Sequence, residues 1–403
     1  MKKKQDNTAL VNMLVYSFLL IGTPFLLVRN YLQQAIGMFS QWSYQIAGMK
    51  IPYVLSAAIL FLVVMLILNF KNFKLIHLLA FGITAVLMGI GQSSTDYYFN
   101  HDFYELQHNW HYFAYGIFAW VSYLYHQSKG SSRIRYIWNT MLYGALISIF
   151  DETAQIFISG RVFDICDNGK DIWGMVVGLI VVLLFSKSRD EKIRILHHNV
   201  LANLKHTWSA IFILVLFSYI FLSIASILSE KRYLVEVMIW TVGVFLPLIS
   251  VIYLCQFKVP RIVIVVLLGM LLIAGIITIN NNKTNIIIQK EAGVLSWRGI
   301  NIPWFDLMIK SNGMPRLVDK KIYFNKKDKI NRIYELSEDI LIMGSGTRGQ
   351  GGMGFTTGNS NFVFNPITRR PLQILIYPNI QACRIYNQLI SEGKKAMIII
   401  HNG

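Results

Sequence analysis

Long apolar stretches alternate with short polar connectors over roughly the first 280 residues. About nine of these stretches approach the length of roughly 20 residues that a helix needs to cross the hydrocarbon core of a bilayer. They are 10–28, 51–70, 74–92, 110–127, 136–158, 171–186, 207–229, 233–256 and 260–280. Each predicts a transmembrane helix, because backbone polar groups inside lipid must be hydrogen-bonded within the segment itself.

The pattern changes after residue 280. Asn280 to Asn282 precede a tail in which charges of both signs are mixed with short alternating runs, such as 321–324, and with clusters of glycine. This texture is typical of a soluble α/β or α+β domain. The sequence therefore predicts an α-helical polytopic membrane bundle followed by a C-terminal α/β soluble domain.

Four segments follow from this reading. Residues 1–74 hold the N-terminal spans, 75–186 a central transmembrane domain, 187–280 further transmembrane helices and 285–403 the soluble domain. Residues 30–50 are too polar to span, and they fit either a helix lying in the membrane interface or a plain outer loop.

Charge and composition favour a membrane over a nucleic acid as the partner. The formal net charge is +17, but 54% of the residues are hydrophobic and only 15% are charged. Many of the basic residues lie in the short connectors, which is the pattern of topology signals. The three cysteines, Cys166, Cys255 and Cys383, have neither the spacing of a metal site nor that of a disulfide framework, and we expect no metal and no cofactor.

The connectors alternate in sign. Those around residues 2–4, 71–74, 129–135, 187–205 and 258–261 are basic, whereas 93–109 and 159–171 are acidic. Basic connectors stay in the cytoplasm, so the pattern predicts a multi-pass protein of the cell membrane with a cytoplasmic N-terminus. An odd number of spans would place the C-terminal domain outside, although long domains escape this rule and its side stays open.

The most informative polar residues lie between 148 and 178. Asp151, Glu152 and Gln155 end the fifth apolar stretch, where Asp151 and Gln155 share a helix face. Acids within a membrane usually face a bundle interior or a wet cavity. Arg161 follows a turn at Gly160 and is expected to pair with them. A structural ion-pair network that braces two helices is the competing interpretation.

Two other groups on neighbouring stretches accompany this acidic cluster. His111 and Tyr115, four residues apart, would lie on one face near the start of the fourth stretch, as a proton carrier, a metal ligand or part of an interfacial belt. Gly174 and Gly178 form G-x-x-x-G in the sixth stretch and predict close helix packing.

The same residues resemble the VanZ-like family, named for a membrane protein linked to teicoplanin resistance. The family pattern has a His-aromatic-x-x-Tyr opening, D-E-x-x-Q, G-R, two spaced Asp residues and Asn-x-x-Gly. The matching residues are His111, Tyr112, Tyr115, Asp151, Glu152, Gln155, Gly160, Arg161, Asp164, Asp167 and Gly174. The resemblance covers roughly 75–186 and implies a bacterial cell-envelope protein, in which Gln155, Arg161, Asp164, Asp167 and Tyr115 would bind a ligand.

The chain departs from that family pattern at two places. Gln107 and His108 replace the acidic-basic pair that usually precedes the family's His, and Asp171 replaces the late Asn. The resemblance therefore does not predict any family role that depends on the charges of that pair or on the late Asn. No settled reaction comes with the resemblance.

The C-terminal domain carries a glycine-rich run. Gly344, Gly346 and Gly349 match G-x-G-x-x-G, but no acid follows at the distance that a dinucleotide site requires, so a loop or an anion-holding nest is favoured. Residues 371–401 predict a strand, a helix from 380 to 391 and a final strand, which is a parallel βαβ unit. Ala382, Tyr386 and Asn387 resemble the small α/β family that includes a mitochondrial complex I assembly factor.

Three functions remain at this point. The first is an envelope protein whose outward polar cluster contacts a membrane lipid or a lipid-linked cell-wall precursor, with the α/β domain available to a protein partner. The second is a membrane enzyme that uses Asp151 or Glu152 with His111 as acid and base on a lipid head group. The alternative to this enzyme is a scaffold with no chemistry of its own. The third is an ion pathway, which lacks a continuous polar track at mid-bilayer.

Overall fold

The computed structural model describes most of the chain in separate ranges. They are residues 2–25, 35, 38–39, 42–46, 49–68, 75–95, 106–158, 161–185, 200–228, 231, 233–254, 257–318, 338–348, 360–365 and 369–402. The chain forms two compact units, the first made of Met1–Thr95, His101–Ala225 and Arg232–Lys258 and the second mainly of Val259–Gly403.

The first unit is built from helices. They are α1 (Lys2–Gly22, followed by a 3₁₀ turn at Thr23–Phe25), α2 (Tyr53–Leu68), α3 (Leu75–Thr95), α4 (Leu106–Ser128), α5 (Arg133–Gln155), α6 (Ile165–Phe185), α7 (Val200–Ile227), α8 (Leu234–Trp240) and α9 (Leu246–Leu254). A short antiparallel hairpin, β1 (Ser43–Ile46) and β2 (Met49–Pro52), precedes α2. An interfacial helix over that part of 30–50 is therefore wrong.

Six helices of the described residues are long and apolar enough to cross a membrane. They are Asn7–Phe25, Leu78–Thr95, Ile165–Phe185, Ala210–Ile227, Leu234–Leu254 and Val259–Asn281. Multi-pass membrane association is thus supported, but the predicted number of nine is not confirmed. The helix α2 has only 16 residues, whereas α4 and α5 have 23 each and carry too many polar side chains to meet the same criterion.

Helix α6 lies at the centre of the first unit. It packs against α3, α4 and α5, and most of its residues are buried. A Cβ atom on Gly174 would lie 2.7 Å from the carbonyl oxygen of Tyr112, and one on Gly178 would lie 2.6 Å from that of Gly116. Only glycine permits this approach of the two backbones, so the packing predicted for G-x-x-x-G is confirmed.

The last span of the first unit contains a π-helical turn. Thr241–Phe245 forms this turn between α8 and α9, and Pro247 follows it. Proline cannot donate a backbone hydrogen bond, and a π turn is a common way to accommodate the missing bond. The buried Phe245 meets the rings of Phe163 and Phe221, at centroid distances of 6.4 and 6.2 Å.

The second unit joins a helix to two sheets. Its elements are α10 (Lys258–Asn281), β3 (Ile287–Glu291), β4 (Val294–Trp297), β5 (Ile300–Pro303), β6 (Asp306–Ile309), β7 (Pro315–Val318), β8 (Ile340–Gly344), β9 (Ser360–Asn365), β10 (Arg370–Tyr377), α11 (Asn379–Ser391) and β11 (Ala396–Ile400). Strands β3–β4–β5 form an antiparallel sheet, and the six-stranded sheet has the order β7-β6-β11-β8-β10-β9. An α/β region after the membrane helices is thus observed.

The predicted βαβ unit is present with one difference. Strands β10 and β11 are both parallel to β8, and they flank it instead of pairing with each other. Helix α11 makes the crossover between them and ends before Gly393, which has a φ of +74°. Strand β8 fits the central position because its residues after Ile340 are buried.

The A-x-x-x-Y-N residues fasten α11 to the rest of the second unit. Ala382 and Tyr386 are fully buried, and the Tyr386 hydroxyl donates to the carbonyl oxygen of Lys310. The Asn387 side chain accepts from the Ile287 amide at 3.2 Å and donates to the Ile287 carbonyl at 2.9 Å. These contacts give the motif a packing role.

The described part of the glycine-rich run, which includes Gly344 and Gly346, contacts the first residue of α11, Asn379. Gly346 has a φ of +86°, and its amide donates to the Asn379 side chain at 3.0 Å. The amide that a phosphate would need at this glycine is therefore already used. Gly349 lies outside the described residues.

Candidate functional site

The polar residues predicted to act together lie at one end of three neighbouring helices. His111 is in the second turn of α4, Asp151 and Glu152 are in the last turn of α5, and Asp167 and Asp171 are in the first two turns of α6. Because α5 runs antiparallel to α4 and α6, these turns meet at the same end of the bundle. We call this group of residues, with Ser148, Gln155, Arg161, Asp164, Asn168 and Lys170, the polar cluster.

Asp171 is its most buried acid. Its side chain is fully shielded, yet both carboxylate oxygens have partners. His111 Nδ1 lies 2.8 Å from Oδ1, and the Ser148 hydroxyl donates to Oδ2 at 2.7 Å. The Asn168 amide in turn donates to Ser148 Oγ at 2.7 Å. This chain of hydrogen bonds links all three helices.

His111 also faces a second acid. Its Nε2 lies 3.5 Å from Asp167 Oδ2, and Lys170 Nζ lies 2.8 Å from Asp167 Oδ1. The imidazole thus lies between two carboxylates. Asp167 lies in the first turn of α6, where the helix dipole also stabilises a negative charge.

Glu152 links the end of α5 to the start of α6 through hydrogen bonds. Its Oε1 accepts from the Gln155 side chain at 2.7 Å, and its Oε2 accepts from the Asp164 backbone amide at 3.1 Å. Asp164 Oδ1 accepts from the Cys166 amide at 2.9 Å, which caps the start of α6. These bonds hold the helix ends together, so Glu152, Gln155 and Asp164 have an evident structural task.

Asp151 differs from the other buried acids of the cluster. Only 6% of the residue is exposed, and its Oδ1 is buried without a hydrogen-bond partner among the residues that the structure describes. Asp171 and Asp167 repel its charge, while His111 and Arg161 attract it. A buried carboxylate oxygen without a donor is unfavourable, by about 1–3 kcal/mol or more. Such an atom in a native fold calls for an explanation.

Arg161 does not form the expected ion pair. The ion pairs of the described residues include none between Arg161 and Asp151 or Glu152, and the Arg161 Nε is buried without a hydrogen-bond partner. Gln155 and the Asp164 backbone amide each donate to one of the two Glu152 oxygens instead. Arg161 therefore acts on Asp151 through the electrostatic attraction of its positive charge. Gly160, where a turn was predicted, lies outside the described residues.

Tyr115 lies one turn below His111 on α4 and is almost completely buried. Its hydroxyl is next to Ser148 but makes no well-formed hydrogen bond. Tyr112, the other aromatic residue of this motif, faces α3 instead, with its hydroxyl 3.2 Å from Thr95 Oγ1. The two tyrosines thus separate into one that borders the cluster and one that packs the bundle.

Sequence reasoning missed three central members of the cluster. Ser148 and Asn168 were not singled out, and Asp171 was noted only as a departure from a family pattern. The signal was present in their spacing, since Ser148 precedes Asp151 by three residues and Asn168 precedes Asp171 by three, which places each pair on one helix face.

Comparison of the chain with protein-family models, curated proteins and solved structures gives no match. The two family resemblances therefore remain predictions. The described residues also contain no group of three or more His, Cys, Asp or Glu side chains that could hold a metal ion.

Proposed function

We propose that this protein binds the polar head group of a membrane lipid, or of a lipid-linked envelope precursor, at the polar cluster of α4, α5 and α6. One observation carries the proposal: among the described residues Asp151 Oδ1 is buried without a donor, beside the bonded network of His111, Asp171 and Ser148. A head group that donated a hydrogen bond to this oxygen would relieve the cost of burying it.

The position of the cluster supports this type of ligand. It lies at helix ends, where the lipid head groups of a bilayer would lie, and the alternation of basic and acidic connectors predicts that this end faces outward. Acids near a membrane boundary usually face a cavity or a partner. The proposal includes a cytoplasmic N-terminus and nine crossings, with α2, α4 and α5 spanning as members of the bundle.

The VanZ-like resemblance supports an envelope role in a bacterial cell. Its specific part, from Asp151 to Asp167, coincides with the polar cluster. The α/β domain would then serve as an interaction module for a protein partner. No nucleic acid, metal or cofactor is part of this proposal.

A second candidate function is catalysis on the head group. The His111 and Asp171 side chains lie 2.8 Å apart, and a carboxylate in that position orients the imidazole and stabilises its charged form. Asp151 would then be the second titratable group beside the reacting atoms. This function differs from binding alone by a chemical change in the lipid.

The scaffold alternative is favoured by Glu152, whose oxygens bind Gln155 and Asp164. The scaffold and the binding site differ in the roles that they give to the adjacent acids Asp151 and Glu152. A scaffold needs Glu152 and has no use for the unpaired oxygen of Asp151, whereas a binding site needs both.

The test is complementation of a deletion strain. Wild type, Asp151→Asn and the control Asp339→Asn, which changes an acid of the other unit, are expressed at equal membrane levels, and lipid and muropeptide compositions are compared. We expect Asp339→Asn to restore the wild-type composition and Asp151→Asn to fail. Full restoration by Asp151→Asn would contradict the proposal, and a chemically altered lipid that depends on His111 would favour the enzyme.

A further inference from the structure

The buried atoms of the polar cluster that lack a partner include two acceptors. One is Asp151 Oδ1, and the other is Oδ1 of Asn168, a residue that is completely buried. Asn168 is oriented by its own amide, which donates to Ser148 Oγ, and Ser148 in turn donates to Asp171. Both residues are thus connected to Ser148, Asn168 through this hydrogen bond and Asp151 through its position three residues later on α5. A ligand that pairs with these two acceptors must supply donors.

The net charge of the cluster also favours a ligand that is positively charged. Its acids outnumber its permanently charged bases. They are Asp151, Glu152, Asp164, Asp167 and Asp171 against Arg161 and Lys170. Protonation of His111 would still leave an excess of negative charge. Lys170 is paired with Asp167 at 2.8 Å, and so does not offset the charge of Asp151 directly.

We infer that the ligand group which enters the polar cluster is a primary ammonium, as in an ethanolamine or aminoacylated head group. This inference rests on the proposed function and names the chemistry of its ligand. An ammonium supplies up to three N–H donors together with a positive charge. Two of those donors satisfy Asp151 and Asn168, and the charge offsets the excess of carboxylates.

Other head-group chemistries fit less well. A phosphate brings further acceptors and negative charge to a place that already has too much of both. A quaternary ammonium carries the charge without N–H donors, so it would leave both acceptors unpaired. The hydroxyls of a glycerol head group donate, but they carry no charge.

The experiment compares three phospholipids that share the phosphate and the acyl chains and differ in the terminal group of the head group. The full-length protein in a mild detergent is titrated with dioleoyl phosphatidylethanolamine, phosphatidylcholine and phosphatidylglycerol, and bound lipid is resolved by native mass spectrometry. We expect phosphatidylethanolamine to bind at least about tenfold more tightly than phosphatidylcholine, because two charge-assisted hydrogen bonds are gained. This comparison needs no variant and is independent of any folding defect.

Asp151→Asn then assigns the preference to the cluster, with Asp339→Asn as the control. We expect Asp151→Asn to remove the preference and Asp339→Asn to keep it. Equal affinities for the ethanolamine and choline lipids overturn the inference, as does a preference that survives Asp151→Asn. If phosphatidylglycerol binds in a way that depends on Asp151, the ammonium inference is wrong but the proposed function stands. If no lipid binds in a way that depends on Asp151, both the inference and the proposed function are wrong.

Discussion

His111 and Asp171 join the ends of α4 and α6 through a contact of 2.8 Å between Nδ1 and Oδ1. Ser148 of α5 completes this junction with its bond to the other Asp171 oxygen. One buried carboxylate thus holds three helices together at the end where the proposed ligand enters. Asp171 holds the three helix ends together, whereas Asp151 is the acid that we propose to bind the ligand.

Replacement of Asp171 should therefore destabilise the bundle. In Asp171→Ala, His111 and Ser148 lose their shared acceptor, and breaking a buried charged pair costs about 3–5 kcal/mol. We expect a clear fall in the melting temperature of the full-length protein in detergent. Asp339→Ala, which removes only a half-exposed acid 3.9 Å from Arg370, should change the melting temperature little. Equal effects would show that the junction is not structural.

The approach of α4 to α6 gives a second prediction with a matched control. A methyl group at Gly174 would lie 2.7 Å from a backbone oxygen, so Gly174→Ala must push the helices apart and lower the melting temperature. Gly89→Ala adds the same methyl group to α3, where it meets nothing within 4 Å. There the better helix propensity of alanine should raise stability slightly. A loss of stability only in Gly89→Ala would contradict the packing.

Membrane topology is the third prediction. The basic connectors predict that residues 187–206 are cytoplasmic and that 159–171 face outward. Single cysteines are introduced as Val162→Cys and Asp190→Cys in a background without the three native cysteines. An impermeant thiol reagent added to intact cells should label the first and spare the second. Labelling of both positions from the same side would disprove the assignment.

The soluble domain should fold without the membrane part. We expect residues 285–403 expressed alone to melt cooperatively, because the sheets and α11 share a buried core. Burial raises the pKa of the Cys383 thiol from 9.0 to about 12, so the thiol should resist alkylation at pH 8 until the domain unfolds. Since the folded-state pKa is the higher one, this contribution to stability is lost as the pH rises from 9 towards 12. Rapid alkylation of native protein would contradict this fold.

The sequence predicted some features of this molecule and not others, for physical reasons. Apolar length is a local property, so the membrane helices and the α/β tail could be predicted, and Gly174 and Gly178 could be assigned to packing. The Ser148–Asp171 bond joins two helices, and no local pattern marks it. The expected ion pair of Arg161 was wrong, and Glu152 accepts instead from Gln155 and the Asp164 amide.

The order of the large sheet shows the same limit. The alternation of strand, helix and strand predicted that β10 and β11 are parallel, which is correct. That β8 lies between them depends on which strand is most apolar on both faces and on contacts that are distant in sequence. Periodicity alone does not determine such neighbours.

The melting temperature of the Asp151→Asn variant is the most direct test of the central claim that Asp151 serves a ligand and not the fold. Its Oδ1 has no donor among the described residues, and its charge is repelled by Asp171 and Asp167, although His111 and Arg161 attract it. Neutralising it should therefore leave the melting temperature of the ligand-free protein unchanged or raise it, as is common when a functional acid is removed. A fall of several degrees, comparable to that of Asp171→Ala, would show that Asp151 is part of the brace and would contradict the proposed binding site.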